Sequence, residues 1–93
     1  LGGARLENNS VTNLDVYPNP SRDIFSVTFT SEEPQDIIIT VVNMLSELVF
    51  VEEFKNVKGR FTQQIDLDSQ SKGIYSLKIS NSSLNIYKRI ALQ

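Results

Sequence analysis

Acidic residues are where any chemistry would have to begin, because this chain has no histidine and no cysteine. Their absence removes the usual neutral-pH base, the thiolate nucleophile and the commonest metal ligands. Asp66-Leu67-Asp68, with Gly73 beyond, has the opening of a calcium loop. Counted from Asp66, the sixth position is Ser71 and the twelfth is Leu77. A calcium loop needs a turn glycine at the former and a bidentate glutamate at the latter, so a strand end followed by a turn explains the segment better. Glu32-Glu33 and Glu52-Glu53 are paired acids. Neighbours on a strand point to opposite faces, so neither pair aims two carboxylates at one substrate. No nucleophile is placed near a base. The expectation is a protein without catalytic residues, bound metal or cofactor.

Binding is the better prospect, and composition narrows it. The net charge is −2, and Lys and Arg are scattered singly apart from Lys88-Arg89. A nucleic-acid partner calls for clustered cations that replace the counterions of a phosphate backbone. The longest apolar-rich run, Ile37 to Val42, is strand length and far short of the ~20 residues that cross a bilayer. Neither nucleic-acid binding nor membrane insertion is expected. Leu1-Gly2-Gly3-Ala4-Arg5 lacks the basic and apolar parts of a secretory leader and reads as linker. Residues 1–12 are taken as a linker or cleavage-region remnant, and residues 13–93 as one domain. Asn8-Asn9-Ser10 and Asn81-Ser82-Ser83 match the glycan acceptor pattern, a weak signal that depends on compartment.

Three constellations stand out. In Tyr17-Pro18-Asn19-Pro20, each proline pushes the residue before it toward extended geometry, which makes a stiff corner. A turn with a cis bond after the tyrosine is the ordinary role of such residues, and direct binding is the other. In Lys72-Gly73-Ile74-Tyr75, the glycine suits the entry to a strand, and the tyrosine brings a large apolar body with a hydroxyl that needs a partner. Tyr87-Lys88-Arg89-Ile90-Ala91-Leu92-Gln93 is an apolar strand with adjacent cations. It is either a last strand whose charges discourage edge pairing or a peptide that another protein captures by strand addition. Edge pairing between copies is open on the same grounds.

The elements that position these residues are short and alternating. Seven strands are predicted: Asn13–Tyr17, Ile24–Thr30, Ile37–Asn43, Leu48–Phe54, Arg60–Leu67, Ile74–Ser80 and Leu84–Leu92. Phe25, Val27 and Phe29 alternate with Ser26 and Thr28, the period of a half-buried strand. Ile37–Asn43 is apolar on both faces and is placed at the sheet centre. Polar stretches at Glu33–Asp36, Asn43–Glu47, Asn56–Gly59, Asp68–Gly73 and Asn81–Ser83 are taken as turns. No window keeps a helical period. The expected fold is all-β, a seven-stranded antiparallel two-sheet sandwich of immunoglobulin-like form.

From Leu14 to Gln93 the chain resembles the C-terminal sorting domains of the type IX secretion system of Bacteroidetes, in particular the type A group. The resemblance rests on Leu14-Asp15-Val16-Tyr17-Pro18-Asn19-Pro20, Ile24-Phe25-Ser26-Val27, Val41-Val42-Asn43, Ile65-Asp66-Leu67, Lys72-Gly73-Ile74-Tyr75 and the basic apolar finish. It lies in their order and spacing. Ser46 stands where the family often has glycine.

The resemblance implies a signal domain at the end of a larger exported protein. It would carry an N-terminal cargo domain through the periplasm to an outer-membrane translocon shuttle or receptor. A sortase-like peptidase would then remove it at or before the first strand, leaving the cargo at the cell surface or released. The recognition residues implied are Tyr17, Pro18, Asn19, Pro20, Gly73, Ile74, Tyr75, Lys88, Arg89, Ile90 and Leu92. The terminal strand, if held at an edge by one neighbour, would peel at low cost. The competing reading is a structural, adhesive or carbohydrate-binding spacer of a secreted protein.

Overall fold

The structure, a computed structural model, describes residues 11–93. The linker reading of residues 1–10 and the acceptor pattern at Asn8 lie outside them. Five strands follow one another: β1 Val11–Tyr17, β2 Ile24–Val42, β3 Leu48–Asp66, β4 Gly73–Ser80 and β5 Asn85–Leu92. All strand pairs are antiparallel. The all-β expectation holds, but the strands number five in one sheet rather than seven in two.

The difference comes from two expected turns that do not reverse the chain. Glu33–Asp36 and Asn56–Gly59 fall opposite each other on β2 and β3. The register passes from Ser31↔Gly59 through Gln35↔Val57 to Ile37↔Phe54, shifting twice. Turn chemistry present on both strands at one level bends them together, and the ladder continues through the bend. Asn56 (φ 53°) and Gly59 (φ 78°) supply the left-handed backbone. Asp36 Oδ1 accepts the Asn56 N–H at 3.1 Å, and Lys55 Nζ lies 3.4 Å from Asp36 and 3.1 Å from Glu53. On the inner side, buried Ser31 donates to the Glu33 carbonyl and accepts from the Gln35 amide.

The bend splits the duty of β2. Its first half pairs with β1 and its second half with β4, which carries β5; β3 follows β2 throughout. The sheet curls, and the buried residues of both halves form a single cluster. Phe25, Val27 and Phe29 come from one half, and Ile39, Val41, Leu77, Ile79 and Ile90 from the other, all essentially without exposure. Each such side chain contributes on the order of 1.5–3 kcal/mol. Phe29, Phe61 and Phe54 pack in sequence with centroids 5.1 and 5.0 Å apart. Period-two patterning was a sound guide to which residues face inward. Ile37–Val42 does lie between β3 and β4, yet its outer face is open at Ile38, so only one side is buried. β1 starts at Val11, ahead of the expected Asn13, and Asn13 (φ 57°) sits in a bulge within it.

The β2–β3 turn is built on Asn43. Its N–H donates to the Glu47 carbonyl and its own carbonyl accepts the Ser46 N–H, both at 3.0 Å. Its side-chain oxygen accepts the Leu45 and Glu47 N–H groups at 2.9 Å. Ser46 takes φ 64°, the left-handed position that closes a three-residue hairpin loop. An L-residue there is disfavoured by roughly 1–2 kcal/mol, part of which glycine returns through its unfolded-state entropy. Ser46→Gly is therefore expected to stabilise the fold by roughly 0.5–1 kcal/mol in urea titration.

At the bend, the Asn56 N–H holds the Asp36 carboxyl below its ordinary pKa; desolvation opposes it, and Lys55 adds to the lowering. Glu53 and Asp36 together hold Lys55 above its own. A depressed carboxyl stabilises the fold above its unfolded pKa, and that contribution disappears as pH falls through the folded value. Asp36→Asn should have a lower urea midpoint than the parent at pH 7, and the gap should close below the ordinary carboxylate range.

Candidate recognition site

The curl brings the corner that follows β1 alongside the end of β5. After β1, the corner Tyr17-Pro18-Asn19-Pro20, with both proline bonds cis, carries the backbone across to β5. Asn19 Nδ2 donates to the Arg89 carbonyl at 3.0 Å, and Asn19 Oδ1 accepts the Ala91 N–H at 3.1 Å. Ser21 then extends the contact as a parallel bridge to Leu92: its N–H donates to the Ala91 carbonyl at 3.0 Å, and its carbonyl accepts the Gln93 N–H at 2.8 Å. The corner is fixed in turn by Ser21 Oγ donating to the Ile24 carbonyl and by the Leu67 N–H donating to the Asp23 carbonyl.

This corrects the expectation for the tail. β5 is held by β4 along its length and by Asn19–Ser21 on its other side over Arg89–Gln93. Within β5, only the Asn85–Lys88 stretch keeps an unpaired outer edge. The proline corner read locally as a turn; its partner lies some seventy positions away in sequence, beyond the reach of any local pattern.

The expected recognition residues divide by burial. Tyr17, Pro18, Asn19, Pro20, Gly73, Ile74 and Arg89 are exposed, and Lys88 is half-buried. Tyr75, Ile90 and Leu92 are buried, at 4%, 0% and 2% exposure. Tyr75 points inward and its hydroxyl donates to the Ser71 carbonyl, which fixes the loop before β4. Gly73 has φ 149°, a conformation L-residues rarely adopt. Lys72 Nζ reaches back to the Arg22 carbonyl at 2.9 Å, tying that loop to the corner. Lys88 is paired with Leu77, and Arg89 with Ser76. One end of the molecule thus gathers the corner, the entry to β4 and the end of β5.

Sequence reasoning missed three further contributors. Ser21 is buried at 7% exposure and bonds the tail directly, and only its place after Pro20 hinted at that. Met44 and Leu45, at 75% and 78% exposure, crown the hairpin at the same end. Their apolar character inside a turn was the available signal. At the other acceptor pattern, Asn81 is engaged: its amide donates to Gln35 Oε1 and its oxygen accepts the Ser83 and Leu84 N–H groups.

The profile of the family described as the secretion system C-terminal sorting domain matches residues 15–93. The chain belongs to that family. No curated protein matches it significantly. The sorting domain's match takes in the proline corner, both long strands and the tail, the parts that meet at the closed end. In this sorting domain the tail is folded into place by a segment near the start of the same domain.

Removing the Asn19 side chain deletes a donor and an acceptor at the surface, where a net hydrogen bond is worth about 0.5–1.5 kcal/mol. Asn19→Ala should lower stability by roughly 1–2 kcal/mol. Amide exchange should quicken at Ala91 and Gln93 more than at Leu77.

Proposed function

We propose that the domain acts as a folded address. It takes an N-terminal cargo through the periplasm to the shuttle or receptor protein of the type IX outer-membrane translocon, and a sortase-like peptidase then removes it. The cargo is left at the outer membrane and cell surface or released. The observation that carries this reading is the family match over residues 15–93, joined to the closed end where Asn19 bonds the Arg89 backbone and Gly73 pairs with Leu92. Cleavage falls ahead of β1, because a peptidase needs an extended substrate and Val11–Tyr17 is committed to a ladder with β2. Residues 1–12 serve as the linker or cleavage region before domain 13–93, although Val11 and Thr12 already join β1. We read the curled sheet as an immunoglobulin-like sandwich whose two sheets stay continuous through β2 and β3.

The buried members of the recognition set act by shaping the surface. Ile90 and Leu92 hold the tail in the core, Tyr75 holds the loop before β4, and the exposed members face the receptor. A carbohydrate-binding spacer would want aromatic rings lined up in solvent. Here Phe25, Phe29 and Tyr75 are buried, and only Tyr17 and Tyr87 are exposed among the described aromatics.

The test is a fusion of all 93 residues to the C-terminus of a fluorescent protein that carries an export signal, produced in a type IX-competent host. Fluorescence should reach the surface or the medium, and should stay in the periplasm of a translocon-deficient strain. Retention in the periplasm of both strains would rule the reading out.

A further inference from the structure

We propose that Met44 and Leu45, together with Ile74, Lys72 and Arg89, dock a partner segment in which an apolar side chain is flanked by carboxylates. The inference rests on the sorting-signal reading and gives the chemistry of what that end of the domain meets.

Met44 and Leu45 have the highest exposure among the large apolar side chains described. They are not held out by a slack loop. Asn43 accepts N–H groups from Leu45 and Glu47 through its side chain and closes the turn through its backbone. Its Nδ2 also donates to Glu47 Oε1 at 2.8 Å, which occupies the one acid of that turn. A hairpin tip ordinarily takes polar residues. Two adjacent apolar side chains held in water by a braced turn are the form a contact residue takes.

Two shallow clefts meet there. They share Asn43, Met44, Ile74 and Tyr75; one continues to Lys72 and the other to Arg89. Each cleft therefore pairs apolar wall with one cation. Neither cation is neutralised: Lys72 is bonded to a carbonyl, and both ion pairs among the described residues belong to Lys55 at the bend. Against a body of net charge −2, an unpaired cationic rim around an apolar tip selects an acidic partner and orients it. Arg89 presents a planar fork suited to a carboxylate. Strand addition to β5 is blocked at this end, because Asn19–Ser21 already occupies its outer edge. The exposed apolar tip and the two cations are side-chain features, so the contact is made by side chains.

The experiment uses the full-chain fluorescent fusion in the type IX-competent host. Met44→Ser with Leu45→Ser should reduce surface fluorescence several-fold, while the melting temperature of the purified chain stays unchanged because both side chains are already in water. Arg89→Gln should reduce delivery, and Arg89→Glu should reduce it further. Normal delivery of the Met44→Ser, Leu45→Ser variant would overturn the inference and leave the sorting function standing. Equal delivery of Arg89→Gln and Arg89→Glu would overturn the acidic partner. Retention of the parent fusion in the periplasm would defeat the sorting reading and the inference with it.

Discussion

The shared bend in β2 and β3 is the constraint on which the rest depends. A straight hairpin of two 19-residue strands would leave its apolar face in water. A break in only one strand would open its ladder. Here irregular residues occur on both strands at one level, so backbone pairing resumes after the bend and each half finds a different third strand. The apolar residues of the two halves then share one core. The ion pairs of Lys55 lie outside this bend in solvent and are worth little by comparison. Buried Ser31 and its partners hold the inner side.

Closure at the far end follows from that geometry. Once the sheet has curled, the chain leaving β1 passes beside β5, and Asn19 and Ser21 meet its unpaired backbone. Magnitudes decide how the tail is held. Burial of Ile90 and Leu92 contributes about 3–6 kcal/mol. The four hydrogen bonds of the corner contribute about 0.5–1.5 kcal/mol each. A domain of this size has only about 5–15 kcal/mol in all. Peeling β5 would cost much of that, so the tail is most stable where it lies.

A sorting signal in this form is a surface assembled from distant segments. The corner, the start of β4, the end of β5 and the β2–β3 tip belong to one end only because the sheet curls. Unfolding erases that surface even when every residue of the tail is present. The arrangement suits a signal that is read after its domain has folded.

Much was legible in the residues themselves. Alternation in Phe25–Phe29 and Tyr75–Ile79 gave strands and their inward faces, because side-chain direction along a strand has a period of two. The missing histidine and cysteine, the scattered cations and the ordered sequence of corner, glycine loop and basic finish pointed toward recognition rather than catalysis. Two things were not legible. Whether Glu33–Asp36 and Asn56–Gly59 reverse the chain or bend it depends on their lying opposite each other, which is a property of register. Whether the last strand is free or held depends on Asn19 meeting Arg89 and Ala91, a contact made only after the sheet has curled. Local chemistry sets the direction of a side chain and the softness of a backbone; long-range pairing decides what each then touches.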